Sequence, residues 1–222
     1  MADVVIVDYG AGNLRSVARA VAHAGVQATV TSDPAALVGA KALIVPGVGA
    51  AADTMANLHA CNLVEPIRDY IASGRPFLGV CMGMQALFDI SEEGGSHECL
   101  GVLPGRIVRF PEDEGLTVPH MGWNNVELRA EHPVFAGIAP RSYFYFVHSF
   151  YPRPEDDAHV IAETEYGGIR FPAVVGRDNL VATQFHPEKS GADGLQLYAN
   201  FLRLALEHGS IAPAVTTSSN AA

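Results

Sequence analysis

The residues of this chain best suited to chemistry centre on Cys81, in Gly79-Val-Cys-Met-Gly-Met-Gln85. Phe77, Leu78 and Val80, preceded by Gly74 and Pro76, read as a short buried strand. Met82 to Phe88 follows with helix-forming residues and no β-branched side chain, so a helix is expected there. Strand, sharp turn and helix with a nucleophile at the tip make a thiol counterpart of the G-x-S-x-G elbow. In that motif flanking glycines allow a strained backbone and close packing around the nucleophile. A helix N-terminus behind the sulfur favours thiolate over thiol. The competing reading is a buried structural cysteine, since free cysteine is among the most buried residue types.

A cysteine nucleophile needs an imidazole to take its proton, and the imidazole needs an acceptor to orient it. Among nine histidines, His186 stands out in Ala182-Thr-Gln-Phe-His-Pro-Glu-Lys189. In an extended segment residues i and i+2 project to one side, which would put His186 and Glu188 in one space. Pro187 between them cannot donate to a ladder and marks a strand end. A carboxylate there fixes the imidazole tautomer and stabilises the imidazolium. The third group is Pro46-Gly-Val-Gly49 at the end of another apolar run. Its backbone N–H groups, at Val48 and Gly49, can face a developing oxyanion, with the N–H of Met82 as a second donor. Taken one at a time, the last two groups also read as a polar turn and as an ordinary strand-to-helix turn.

Together the three groups resemble the class I, triad-type glutamine amidotransferases, in order and spacing, over about residues 3 to 207. Within that family, Asp8-Tyr-Gly-Ala-Gly-Asn-Leu-Arg-Ser16, Pro119-His-Met-Gly-Trp-Asn124, Tyr145-Phe-Val-His-Ser149 and Lys189 resemble the glutaminase subunits that serve imidazole glycerol phosphate synthase in histidine biosynthesis. The resemblance implies a flavodoxin-like, mostly parallel α/β sheet flanked by helices, with an added antiparallel β section. It implies Cys81 as nucleophile, His186 as base and acid, and Glu188 as orienter. Val48, Gly49 and Met82 would form the oxyanion hole. Gly47, Gln85, His148 and Ser149 would contact L-glutamine, whose amide is hydrolysed through a glutamyl thioester. Ammonia would pass to a (β/α)₈ cyclase subunit bound as a heterodimer, and no metal or organic cofactor is implied. Asn13, Pro119, Met121, Trp123, Asn124, Tyr145 and Lys189 would face that partner. Met82 stands where leucine is usual, and Ser149-Phe150 where Thr-Tyr is common, so position 150 offers no hydroxyl. Two alternatives share the fold: a glutaminase serving another synthase, such as the pyridoxal phosphate one, and a non-catalytic binding protein.

The elements that must position these residues follow from the rest of the chain. Val4 to Val7, Val26 to Thr31, Ala42 to Val45 and the Phe77 run read as strands, the first and last of them buried, alternating with helices over Leu14 to Ala22, after Asp33, over Ala51 to His59 and from Asn62 to Ser73. Such alternation means a parallel sheet with right-handed crossovers. From Arg106 to Val181 short strand patterns separated by Pro and Gly dominate: 106–110, 125–128, 143–147, 159–163, 173–175 and 180–185. An amphipathic helix over Gly191 to Glu207 closes a single domain, residues 1–208, and residues 209–222 read as a disordered tail.

Composition sets the outer limits. At 222 residues, 49% hydrophobic and 17% charged, the chain is globular. A formal net charge of −10 argues against nucleic acid or an anionic membrane as partner. No apolar run approaches a membrane span and the N-terminus lacks a signal-peptide pattern. Cys61, Cys81 and Cys99 fit neither a disulfide framework nor a zinc site, so a reducing cytoplasm is the expected compartment, with Cys61 and Cys99 structural. His97 and His120 read as loop residues.

Overall fold

The computed structural model describes residues 3–111 and 115–213. Its first half alternates as expected: β1 (Val4–Val7), α1 (Leu14–His23), β2 (Ala28–Thr31), α2 (Pro34–Val38), β3 (Ala42–Val45), α3 (Ala51–Ala60), α4 (Val64–Ala72), β4 (Phe77–Val80) and α5 (Met82–Gln85). Then come β5 (Phe88–Ser91), β6 (His97–Glu98), β7 (Leu103–Arg109), β8 (His120–Asn125), β9 (Glu127–Leu128), β10 (Tyr143–His148) and β11 (Phe150–Pro154). The chain returns through β12 (Val160–Tyr166), β13 (Ile169–Arg177) and β14 (Leu180–Thr183) to α6 (Gly191–Arg203).

Among the described residues the main sheet has the order β2-β1-β3-β4-β14-β13-β12-β9. Its first five strands are parallel and the last three join antiparallel, which is the mixed architecture the sequence pattern implies. Two smaller sheets, β10-β8 and β11-β7-β5-β6, stand beside it. Strands β1, β3 and β4 are apolar and buried throughout because both faces are covered, whereas the edge strand β2 is partly exposed. Val4 and Ile6 enter one core with Val17 and Val21 of α1 and Leu197 and Phe201 of α6. Val5 and Val7 enter a second with Leu37, Leu58 and Ile67 of α2, α3 and α4. Parallel pairing gathers the C-terminal ends of β1, β3, β4 and β14 on one edge, where ligands bind in such sheets.

Several local expectations give way. The helix after Cys81 is a single turn, because Phe88 already pairs with Leu103 in the β5–β7 ladder. A macrodipole behind the sulfur is correspondingly small. Asn62 adopts a left-handed φ of 55° and helix α4 begins two residues later. Strand β11 carries Pro152 and Pro154, which argue against a strand by propensity but are tolerated on the edge it occupies. The last helix continues past Arg203 as a π turn, Leu204–His208. The tail expected from residue 209 is structured at its start: Ile211 is fully buried, and the N–H groups of Ile211 and Ala212 donate to Asn179 Oδ1. Residues 214–222 of that tail lie outside the described residues.

Candidate active site

Cys81 follows β4 with φ 54° and ψ −108°, a conformation that costs a non-glycine residue about 1–3 kcal/mol. Its surroundings hold it there. Its N–H donates to the Thr183 carbonyl at 2.7 Å, and its carbonyl accepts from the N–H groups of Met84 and Gln85 at 2.9 and 3.0 Å. A Cβ on Gly79 would lie 2.6 Å from the Gly83 carbonyl oxygen, and one on Gly83 would run into the Val45 carbonyl. Gly79 therefore serves close approach between β4 and the turn of α5, and Gly83 close approach between the elbow and strand β3.

His186 and Glu188 come together as expected, by a different backbone route. The chain leaves β14 at Thr183 and turns through a 3-10 turn, Pro187–Lys189. His186 Nδ1 lies 2.8 Å from Glu188 Oε1, with each side chain only 2% exposed. That bond leaves Nε2 for proton exchange, and Nε2 is buried without a hydrogen-bond partner among the described residues. Burial alone would lower the imidazole pKa; the neighbouring Cys81 and Glu188 outweigh it and hold the group up, to about 10. The backbone is clamped as well. His186 N–H donates to the Tyr145 carbonyl at 2.9 Å, Tyr145 N–H donates to Ser190 Oγ at 3.0 Å, and Ser190 Oγ donates to the His186 carbonyl at 2.6 Å.

Cys81 and His186 line one cavity of about 160 Å³ with Val48, Gly49, Met82, Gln85, Glu93, Val147, His148, Ser149 and Phe150. It is smaller than the roughly 300–1,000 Å³ of sites for drug-sized ligands, so it suits a small molecule. Gly49 takes φ 98°, a left-handed conformation that favours glycine. Gly47, expected at the substrate, packs behind the cavity against the Tyr9 hydroxyl and Met82. Gln85 is buried; its Nε2 donates to the Phe150 carbonyl at 2.9 Å and to Gln184 Oε1 at 3.0 Å, and its Oε1 has no partner among the described residues.

Three residues of this region escaped the motif reading. Glu93 lines the cavity, and its Oε2 accepts from the N–H of Ala51, just after the Pro46–Gly49 turn. Its sequence context, Glu92-Glu-Gly-Gly-Ser96, carries no signal beyond an exposed loop. Gln184 sits beside Cys81 and had only its closeness to His186 to mark it. His120, expected in a loop, is buried on β8 with its ring stacked on Tyr166 and Phe146.

The residues expected to face a partner separate into two sets. Cross-strand pairing puts Trp123 opposite Tyr145 and Met121 opposite Val147, all on one face of the β8–β10 ribbon. Met121, Trp123 and Tyr143 are 62%, 56% and 58% exposed, and Lys189 Nζ stands 5.9 Å from the Tyr145 ring centre. Asn124 is on the other face, its amide donating to the Glu165 carbonyl, because alternation along β8 points it inward. Asn13 caps α1 through the N–H of Ser16, and Pro119 follows a cis peptide bond.

A family model for glutamine amidotransferase class-I matches residues 5–205. The chain is 50% identical over 203 residues to the imidazole glycerol phosphate synthase subunit HisH of Dehalococcoides mccartyi (strain CBDB1), covering 91% of this chain and 98% of that protein. It is 51% identical over 203 residues to the subunit of the same name from Syntrophotalea carbinolica, covering 89% and 98%. Among solved structures, a glutamine amidotransferase superposes with TM-score 0.70 at 23% identity, over 90% of this chain and 98% of that one. PurLQS from Thermotoga maritima superposes with TM-score 0.68 at 17% identity, over 91% and 99%. The fold, the cysteine elbow and the extent of these matches lead to one conclusion: the chain belongs to the class I glutamine amidotransferases.

Proposed function

We propose that this chain is the glutaminase subunit of an imidazole glycerol phosphate synthase, hydrolysing L-glutamine and handing ammonia to a (β/α)₈ cyclase subunit in the cytoplasm. The observation that carries the reading is identity of about half over nine-tenths of the chain to subunits of that name, in a chain that keeps Cys81, His186 and Glu188 around one cavity.

In this reading Cys81 Sγ, its proton held by His186, attacks the side-chain amide carbon of glutamine. Charge that develops on the carbonyl oxygen is met by backbone N–H groups at Val48, Gly49 and Met82, each donor worth about 10²–10³ in rate. His186 returns the proton to the departing nitrogen, and ammonia leaves a glutamyl thioester. Water, deprotonated by His186, then attacks the thioester, expelling the Cys81 thiolate and releasing glutamate. Glu188 stabilises the imidazolium through both steps. The α-ammonium of glutamine finds its counter-charge at Glu93, a carboxylate of the cavity lining. Gln85 and the backbone at His148 and Ser149 receive the remaining polar groups. The sequence of steps consumes one glutamine and one water and returns Cys81 and His186 to their starting state.

The face with exposed Met121, Trp123, Tyr143 and Lys189 and half-buried Tyr145 supports the same reading as the docking surface for the cyclase, since aromatic anchors dominate binding energy at interfaces. Two measurements test it together. An electrophilic glutamine analogue should label Cys81 stoichiometrically, with labelling lost in Cys81→Ser. The chain should form a heterodimer with a purified cyclase subunit and supply it with glutamine-derived nitrogen. Labelling without any such association would redirect the reading to a glutaminase for another synthase, and absence of both would reject it.

A further inference from the structure

Gln184 is fully buried, and its Nε2 lies 3.9 Å from Cys81 Sγ. Which end of this amide faces the sulfur follows from its neighbours. The Phe150 carbonyl can only accept, so the group of Gln85 that faces it at 2.9 Å is the nitrogen. The same nitrogen lies 3.0 Å from Gln184, so the atom of Gln184 it meets is the oxygen. The other end of Gln184, toward Cys81, is then the NH₂ group. One fixed backbone carbonyl thus orients two buried amides in series and delivers an N–H donor to the nucleophile.

We propose that Gln184 is a catalytic residue of the glutaminase reaction: it donates a hydrogen bond to the Cys81 thiolate and, through its oxygen, holds Gln85 so that Gln85 Oε1 stays open to a ligand in the cavity. At 3.9 Å the contact is long for a hydrogen bond to sulfur, and contacts of this kind tighten in the working complex. The role has a structural motive. Helix α5 is a single turn, so the thiolate receives little from a macrodipole and needs a discrete donor. His186 gives up its proton to the departing nitrogen and takes one back in each cycle, so it is not a fixed donor to the sulfur. Gln184, with no ionisable group, donates throughout the cycle.

The proposal rests on the glutaminase reading for its reaction, but its primary readout needs no glutamine. Alkylation of Cys81 by iodoacetamide is followed against pH in the whole chain, with Cys81→Ser subtracting Cys61 and Cys99. Gln184→Glu keeps the acceptor for Gln85 and replaces the donor by a carboxylate. Its alkylation rate at pH 7 should fall about tenfold or more, the scale of a hydrogen bond to a charged group, and recover at high pH. Its kcat should fall by a similar factor with KM within about twofold, as for a bond strengthened in the transition state. Gln184→Met fills the same space without either hydrogen bond, so KM for glutamine should rise as well. Alkylation profiles that superimpose on that of the wild type in both variants overturn the proposal. So does a variant whose kcat falls while its alkylation profile stays in place, the mark of a merely structural residue. If the variants do not fold, the unsubstituted protein decides: the Gln184 side-chain NH₂ resonances should move when Cys81 is alkylated, and resonances that stay in place overturn it.

Discussion

The imidazoles of His120 and His148 meet inside the protein, Nδ1 of the first 3.1 Å from Nε2 of the second. His148 Nδ1 donates to the Phe150 carbonyl at 2.8 Å, so its Nε2 accepts and His120 Nδ1 carries the shared hydrogen. Burial pushes both rings down, His120 to about 4 and His148 to about 3, and the positive form of either would face the other. Because the Phe150 carbonyl also accepts from Gln85, this neutral pair braces the wall of the cavity.

Acid sensitivity follows from that pair. Unfolded histidines bind a proton below about pH 6.5, whereas these two stay neutral in the folded state down to about 4 and 3. Between those limits the unfolded state holds more protons, so stability falls as pH falls. Denaturant midpoints measured from pH 7 to pH 4 should decline, and the decline should flatten in a His120→Gln/His148→Gln double variant. An equally steep decline in the double variant would show that other groups carry it.

Glu188→Gln keeps an acceptor for His186 Nδ1 and removes the charge. The imidazole should fall from its raised value of about 10 toward the ordinary range, and the imidazolium formed during catalysis loses its partner. We expect kcat for glutamine hydrolysis to drop about 10²–10⁴-fold, with KM changed only a few-fold. Steady-state kinetics within a few-fold of wild type would deny Glu188 an electrostatic role.

Gly83→Ala places a methyl group against the Val45 carbonyl, a backbone atom with no freedom to move aside. Destabilisation of at least about 3 kcal/mol is expected, with glutaminase activity lost, since the elbow must shift away from β3. A chemical denaturation curve superimposed on that of the wild type would mean that the elbow and β3 are not in such close contact.

Trp123→Ala and Lys189→Ala act on the exposed ribbon face and its neighbouring turn. Trp123→Ala should weaken cyclase association by about 2 kcal/mol, as for an aromatic anchor, while iodoacetamide alkylation of Cys81 in the isolated chain stays unchanged. Lys189→Ala should weaken it less. Isothermal titration against the cyclase measures both, and unaltered affinity in Trp123→Ala would place the docking surface elsewhere.

The parallel half of the fold was legible because β1, β3 and β4 are continuous apolar runs bounded by glycine and proline, and buried strands have few other ways to look. Cys81, His186 and Glu188 were legible for a related reason. Each stands in a local motif whose glycines permit a tight backbone or whose proline restricts it. The second half was less so: β5 and β6 are short and β11 is a proline-bearing edge strand, and only their pairing with β7 or with one another defines them.

Residue types and spacing marked a cysteine at an elbow, an imidazole and a carboxylate as one candidate set once the resemblance joined them, and the alternation of strands and helices placed the ends of the parallel strands at one edge. Only the tertiary structure decided which other side chains reach that edge. Gln184, Glu93 and the His120–His148 pair act across 99, 42 and 28 residues of sequence, on Gln85, Ala51 and each other. No periodicity encodes such distances, because hydrogen bonds between remote segments depend on where folded backbones come to rest. The elbow needed the same resolution. Two glycines announced it, but its one-turn helix, its support from Thr183 and its amide donor exist only once β4 lies between β3 and β14.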